Sequence, residues 1–255
     1  ADVTSRPALA DGDLPIPSVT WDAGETRLET TALATGLPGA SALLARYRVA
    51  NLTKGERRVR LVLAIRPLQV NPPWQFLGTP GGASEIRSLA FEGARASVNG
   101  ERVVAALVPP SETGATTLDA GDVSDLLRAG SFPPASAVSD PTGFGSGAFA
   151  FDLLVPGGGS REVVLAIPFE RSRAPAELAR PLGTETWQGF SPAEASALFE
   201  SLLTRERSAW RSRLDRVAFD VPPEAERWVK VLRSQLAFVL VNRDGPAIQP
   251  GSRSY

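Results

Sequence analysis

The pattern of apolar and polar positions changes character near residue 190. Upstream, short segments of alternating or continuous apolar residues are separated by Gly/Pro turns; downstream, apolar residues recur every three or four positions. The upstream pattern predicts strands over 26–33, 43–52, 58–70, 86–98, 102–108, 147–155 and 161–169. In Ala45-Arg46-Tyr47-Arg48-Val49 the two arginines share one face and Tyr47 and Val49 the other. From Arg58 to Arg66 alternation gives way to a continuous apolar run, as in a strand covered on both faces. Asn99-Gly100 is a two-residue hairpin signal, because both residues tolerate the positive φ of a type I′ turn, so the strands on either side should pair antiparallel. Strands joined by turns, with no crossover helices between them, predict an antiparallel sandwich and not a βαβ fold.

Past residue 190 the punctuation is helical. Ser191 can cap, Pro192 suits the first helical position, and Glu194 sits where it closes a capping box. Leu198, Phe199, Leu202, Leu203, Trp210, Leu214 and Val217 then form an apolar stripe. A second helix is expected from about Pro223, with Trp228, Val231, Leu232, Gln235, Leu236, Val239 and Leu240 as a broad apolar stripe. Asn242-Arg243-Asp244-Gly245-Pro246 should end it through a left-handed glycine cap. The expected division is a β domain over 1–188 and a helical linker over 189–255.

Composition narrows the chemistry. The 255 residues include no His, Cys or Met. A thiol nucleophile, a Ser-His-Asp triad, a disulfide framework and a Cys/His zinc site are therefore excluded, leaving carboxylates, hydroxyls, Arg, Lys and backbone amides. A formal charge of −1 supplies no long-range field for a polyanion, so nucleic acid is not an expected partner. No apolar run approaches the roughly 20 residues that span a bilayer, and the chain reads as soluble, with the compartment left between cytosol and export. The opening Ala1-Asp2-Val3 without Met reads as a processed protein or an excised fragment.

Several clusters could carry function. Asp119, Asp122 and Asp125, like Glu85 and Glu92, are carboxylates of the type a glycosidase pairs across a scissile bond, but nothing in their spacing forces convergence, and solvated or capping roles are the simpler reading. Trp74, Gln75 and Phe76, in a connection too long for a turn, combine stacking rings with an amide in the manner of a sugar platform; a loop pinned by its own aromatics is the competing reading. Asp11-Gly12-Asp13 offers two carboxylates to calcium without the remaining ligands, so no metal site is assigned. The arginines at 205, 207, 211, 213 and 216, interleaved with acids, read as a solvated, ion-paired helix face. The Gly-rich runs 143–147 and 157–159 do not sit between a strand and a helix as a phosphate loop requires.

The stretch Gln69-Val70-Asn71-Pro72-Pro73-Trp74-Gln75-Phe76-Leu77, the Ser146-Gly147-Ala148 passage, and Asn242-Arg243-Asp244-Gly245-Pro246 through Pro250-Gly251-Ser252-Arg253-Ser254-Tyr255 resemble the central region of bacterial coagulation factor 5/8 type C (discoidin) domain proteins. That region is in turn similar to glucoamylase-like inverting glycosidases. The resemblance implies an antiparallel β supersandwich of the galactose-mutarotase type, followed by two C-terminal α-helices that lead toward an (α/α)6 barrel. It further implies that the catalytic carboxylates lie beyond Tyr255, so no catalytic residue and no cofactor is assigned within the chain. Trp74, Gln75, Phe76, Arg253 and Tyr255 remain as candidate substrate contacts. The expected function is a non-catalytic sandwich and linker of a larger carbohydrate-active protein, with carbohydrate and the barrel as partners; the alternative is an autonomous carbohydrate-binding module. Without the barrel, the two helices should expose an apolar patch able to drive dimerisation.

Overall fold

The computed structural model describes residues 3–68, 84–169, 179–244 and 247–248. The protein is mainly β. Its larger sheet runs, in spatial order, β1 (Thr4–Ala10), β2 (Leu14–Ala23), β3 (Thr26–Leu37), β4 (Ala40–Asn51), β12 (Ser160–Pro168), β8 (Arg102–Ala106), β7 (Arg95–Val98), β6 (Ser88–Glu92) and β10 (Ala137–Ser139). A three-stranded sheet, β5 (Arg57–Ile65), β11 (Ser146–Val155) and β9 (Glu112–Thr116), lies against it, and all the ladders are antiparallel. The expected antiparallel sandwich followed by two long helices is what the chain forms.

The two sheets meet through aromatic packing. Phe149 of β11 is fully buried and meets Phe91 of β6 edge-to-face, with ring centroids 5.0 Å apart and an interplanar angle of 83°. Gly147, also on β11, marks the closest approach: a Cβ there would sit 2.5 Å from the Gly114 carbonyl oxygen and 2.8 Å from side-chain atoms of Leu89 and Phe91. At the other end of β11, Asn51 stitches the sheets together, its buried amide donating to the Gly55 and Val155 carbonyls at 2.7 and 3.1 Å.

The Asn99-Gly100 turn forms as expected, with φ of 52° and 64° and the Glu101 N–H donating to the Val98 carbonyl at 3.1 Å. The segment 86–98, however, is not one strand. It folds back at Gly93 (φ 56°) into the β6–β7 hairpin, while Ile86 makes an isolated bridge to Phe144. Within these two sheets, four strands had no sequence expectation: β1, β2, β9 and β10. Pro15 and Pro17 weaken the strand pattern of β2, yet they fall before Ser18, where pairing with β3 begins, so the missing N–H groups interrupt no ladder on that side.

Helix α1 (Val123–Arg128) is capped by Asp122, which accepts from the Ser124 N–H at 2.8 Å. Helix α2 (Pro192–Leu214) starts with both halves of the expected capping box between Ser191 and Glu194. A 3-10 turn, Pro223–Ala225, leads into α3 (Glu226–Val241). Helix α3 ends where expected, at Asn242, which caps it at φ −85° with its amide donating to the Phe238 carbonyl at 2.9 Å; Gly245, the expected left-handed cap, lies outside the described residues. The short strands β13 (Arg243–Asp244) and β14 (Ala247–Ile248) then pair with each other. Among the described residues no helix is long and apolar enough to cross a membrane.

Candidate functional site

The sequence places its aromatic candidates in the connection that leaves β5. Ile65, at the end of β5, is in register with Gly147 near the start of β11, so this connection emerges beside the loops that enter β11. Its base is closed by the Ser84 N–H donating to the Leu68 carbonyl at 3.0 Å. Around that base, three loops are tied together. The Ile86 N–H donates to the Gly143 carbonyl at 2.8 Å and the Gly145 N–H to the Ile86 carbonyl at 3.0 Å. Ser146, fully buried, accepts from the Val123 N–H at 3.0 Å, and Arg66 pairs with Asp122 at 3.3 Å.

Asp140 is the hub of this frame. Its carboxylate is buried and accepts from the Thr142 hydroxyl, from the Leu118 N–H at 2.7 Å and from the Thr142 N–H at 2.9 Å. Leu68, Leu118 and Phe144 are left exposed on the described part of this end. The Thr142 hydroxyl and the Leu118 N–H hold the Asp140 carboxyl below the ordinary aspartate range. A depressed native pKa means that its contribution is fully present above the unfolded value of about 3.9 and is lost as pH falls through the native one. Thermal melts between pH 6 and pH 3 should show the loss on the acid side only, and Asp140→Asn should flatten that slope. An unchanged acid slope in Asp140→Asn would count against the hub.

Trp74, Gln75, Phe76, Arg253 and Tyr255 all lie outside the described residues. The structure thus gives the frame from which the Trp74 connection departs and the hairpin after α3 that precedes Arg253. The other sequence candidates are accounted for individually. Asp122 is a helix cap, Asp125 pairs with Arg128 at 2.6 Å, Glu85 with Arg87 at 2.7 Å and Glu92 with Arg95 at 3.9 Å. Each of these four is thus engaged by a cation or a helix N-terminus, and Asp119 is exposed.

The α2 arginines form an ion-paired and largely exposed face, but Arg207 and Arg211 pair across to the Asp11–Asp13 turn and not with acids of their own helix. Arg211 donates two hydrogen bonds to Asp13, at 2.9 and 2.6 Å, and Asp13 is only 1% exposed. Arg207 pairs with Asp11, and Arg211 also reaches Asp11 at 3.3 Å. Burial alone would raise the Asp11 pKa; Arg207 and Arg211 outweigh it and hold the carboxyl below the usual value. Asp13 in turn raises the pKa of Arg211. The Asp11-Gly12-Asp13 turn is therefore a receptor for two guanidinium groups. Further along α2, Ser196 donates to Glu162 at 2.7 Å, and Phe199 stacks on the Arg46 guanidinium 4.5 Å from its ring centre while Arg46 pairs with Glu200. Sequence reasoning missed these clamps because the partners are 196 and 198 residues apart at Arg207–Asp11 and Arg211–Asp13.

Helix α3 is arranged the other way round. Its buried residues are the small Ser234 and Ala237, whereas Trp228, Val231, Leu232, Leu236, Phe238 and Val239 are exposed, Trp228 by 61%. No protein-family model matches the chain. No curated protein matches it either. Solved structures similar to it include a protein described as a kojibiose phosphorylase from human microbiome, at 6% identity and a TM-score of 0.33, covering 89% of this chain and 23% of that one. Another is a mutant of heparan sulfate lyase HepC from Pedobacter heparinus, at 9% identity and a TM-score of 0.35, covering 68% of this chain and 23% of that one. The chain thus spans less than a quarter of the length of either.

Proposed function

We propose that residues 1–188 and 189–255 are the non-catalytic β supersandwich and helical linker of a larger carbohydrate-active protein, in which they support and shape an (α/α)6 catalytic barrel. The observation that carries the reading is α3. A helix that is apolar on its outward face is suited to burial against another element, and a water-exposed stripe of one Trp and several Val, Leu and Phe side chains costs solubility unless something covers it. Helix α2 supplies the rigid mount, being fixed to the large sheet by the Asp11, Asp13 and Glu162 contacts. The carbohydrate part of the proposal rests on the motif resemblance of residues 69–77, 146–148 and 242–255.

Two measurements test it. The 255-residue chain should hydrolyse no α-glucoside, while a longer product of the same gene carrying a helical barrel should; hydrolysis by the 255 residues alone would refute the scaffold role. The uncovered α3 should also make the isolated chain self-associate. Because burying one large apolar side chain is worth about 1.5–3 kcal/mol, Leu232→Glu should weaken that association about tenfold or more in sedimentation equilibrium. A wild-type chain that stays monomeric at high concentration would show that this face does not seek a partner. The second reading, an autonomous carbohydrate-binding module, is favoured by the tied frame at the base of the Trp74 connection; glycan binding abolished by Trp74→Ala would select it.

A further inference from the structure

At the opposite edge of α2 from the Asp13 clamp, three elements border an open cleft of about 490 Å³. The first is the β3–β4 hairpin, which turns through Pro38-Gly39 between the paired Leu37 and Ala40; proline followed by a glycine at φ 77° makes a type II turn. Gly36 keeps the tip tight, since a Cβ there would lie 2.2 Å from the Ala40 carbonyl oxygen. The second element is the 3-10 turn Arg180–Leu182, anchored by buried Ala179, Pro181 and Leu182 and closed by left-handed Gly183. The third is α2, which presents Arg205, Ala209 and Arg213 at successive turns of one face.

The charges lining the cavity do not balance. Glu206 is already engaged, accepting from the Thr35 hydroxyl at 2.9 Å and pairing with Arg205 at 3.1 Å. Among the described residues, Arg180 and Arg213 have no carboxylate partner, although Arg213 lies over the Trp210 ring at 5.1 Å. Three arginines against one glutamate leave an excess of two positive charges around one small cavity. Guanidinium groups offer paired N–H donors matched to oxyanions.

We propose that this cavity binds the tetrahedral oxyanion of a phosphate or sulfate ester, held by Arg180 and Arg213, with the rest of a small molecule resting on Leu37, Pro38 and Pro181. A volume of about 490 Å³ is within the range of small-ligand sites. The site goes beyond the scaffold role and does not depend on it.

Titration of the 15N-labelled chain with inorganic phosphate, inorganic sulfate and acetate at constant ionic strength tests the proposal. Phosphate or sulfate should shift the amide signals of Gly36, Gly183 and Ala209 saturably and acetate should not; the anion that binds tighter identifies the ester. Arg180→Gln and Arg213→Gln should each weaken binding about tenfold, whereas Arg58→Gln, on the small sheet, should leave it unchanged. A fold check by the undisturbed signals of the β strands separates loss of binding from loss of structure. Shifts that follow ionic strength alone, equal binding of acetate, or full affinity in both cavity variants would overturn it.

Discussion

Arg211→Met should destabilise the protein by about 3–5 kcal/mol, because it strands a buried carboxylate without its counter-charge. Asp13 is 1% exposed and the two described hydrogen bonds to its carboxylate both come from Arg211. The companion pair behaves differently: Arg207 is 45% exposed at the side chain, so Arg207→Met should cost roughly 0.2–1 kcal/mol, the range of surface ion pairs. The decisive comparison is a double-mutant cycle by urea unfolding. Asp13→Asn combined with Arg211→Met should cost less than the two single changes added together, since neither partner is then left as a lone buried charge. Strict additivity, or an Arg211→Met variant as stable as wild type, would show that the contact is incidental to the attachment of α2.

Phe149→Ala should cost about 3–5 kcal/mol, the range for removing a fully buried phenylalanine. The edge-to-face contact with Phe91 adds about 0.5–1.5 kcal/mol that Phe149→Leu would also lose. Phe149 of the small sheet and Phe199 of α2 belong to one continuous apolar core. Loss of the β signal and loss of the α signal in circular dichroism should therefore coincide in wild type and shift together in Phe149→Ala. A helix transition that stays at its wild-type midpoint while the sheets melt early would contradict a shared core.

What the sequence made legible was local. Asn99-Gly100 and the Ser191 and Glu194 pair each declare their geometry within a few residues, because positive φ and a reciprocal cap need no distant partner. The turn at Gly93 was hidden by apolar residues on both sides that read as one strand, and β2 was hidden by prolines whose harmlessness depends on where β3 begins to pair. The same limit explains the α2 arginines. Their spacing with acids on the same helix fits a solvated face, and only the fold brings the Asp11-Gly12-Asp13 turn beneath them. The α3 stripe was legible as an apolar face, but its outward orientation follows from the small inward residues Ser234 and Ala237, which let the helix lie close while presenting its large side chains outward.

The Leu68–Ser84 closure has a consequence for variation. Both ends of the intervening fifteen-residue segment are anchored by a frame tied at Asp140, Ser146 and Asp122. Closing a longer or shorter segment between fixed ends changes the entropic cost only logarithmically with length, by about 0.6 kcal/mol per doubling. A change in the length of 69–83 short of a doubling should therefore cost less than about 0.6 kcal/mol, with the ties at Asp140, Ser146 and Asp122 left in place.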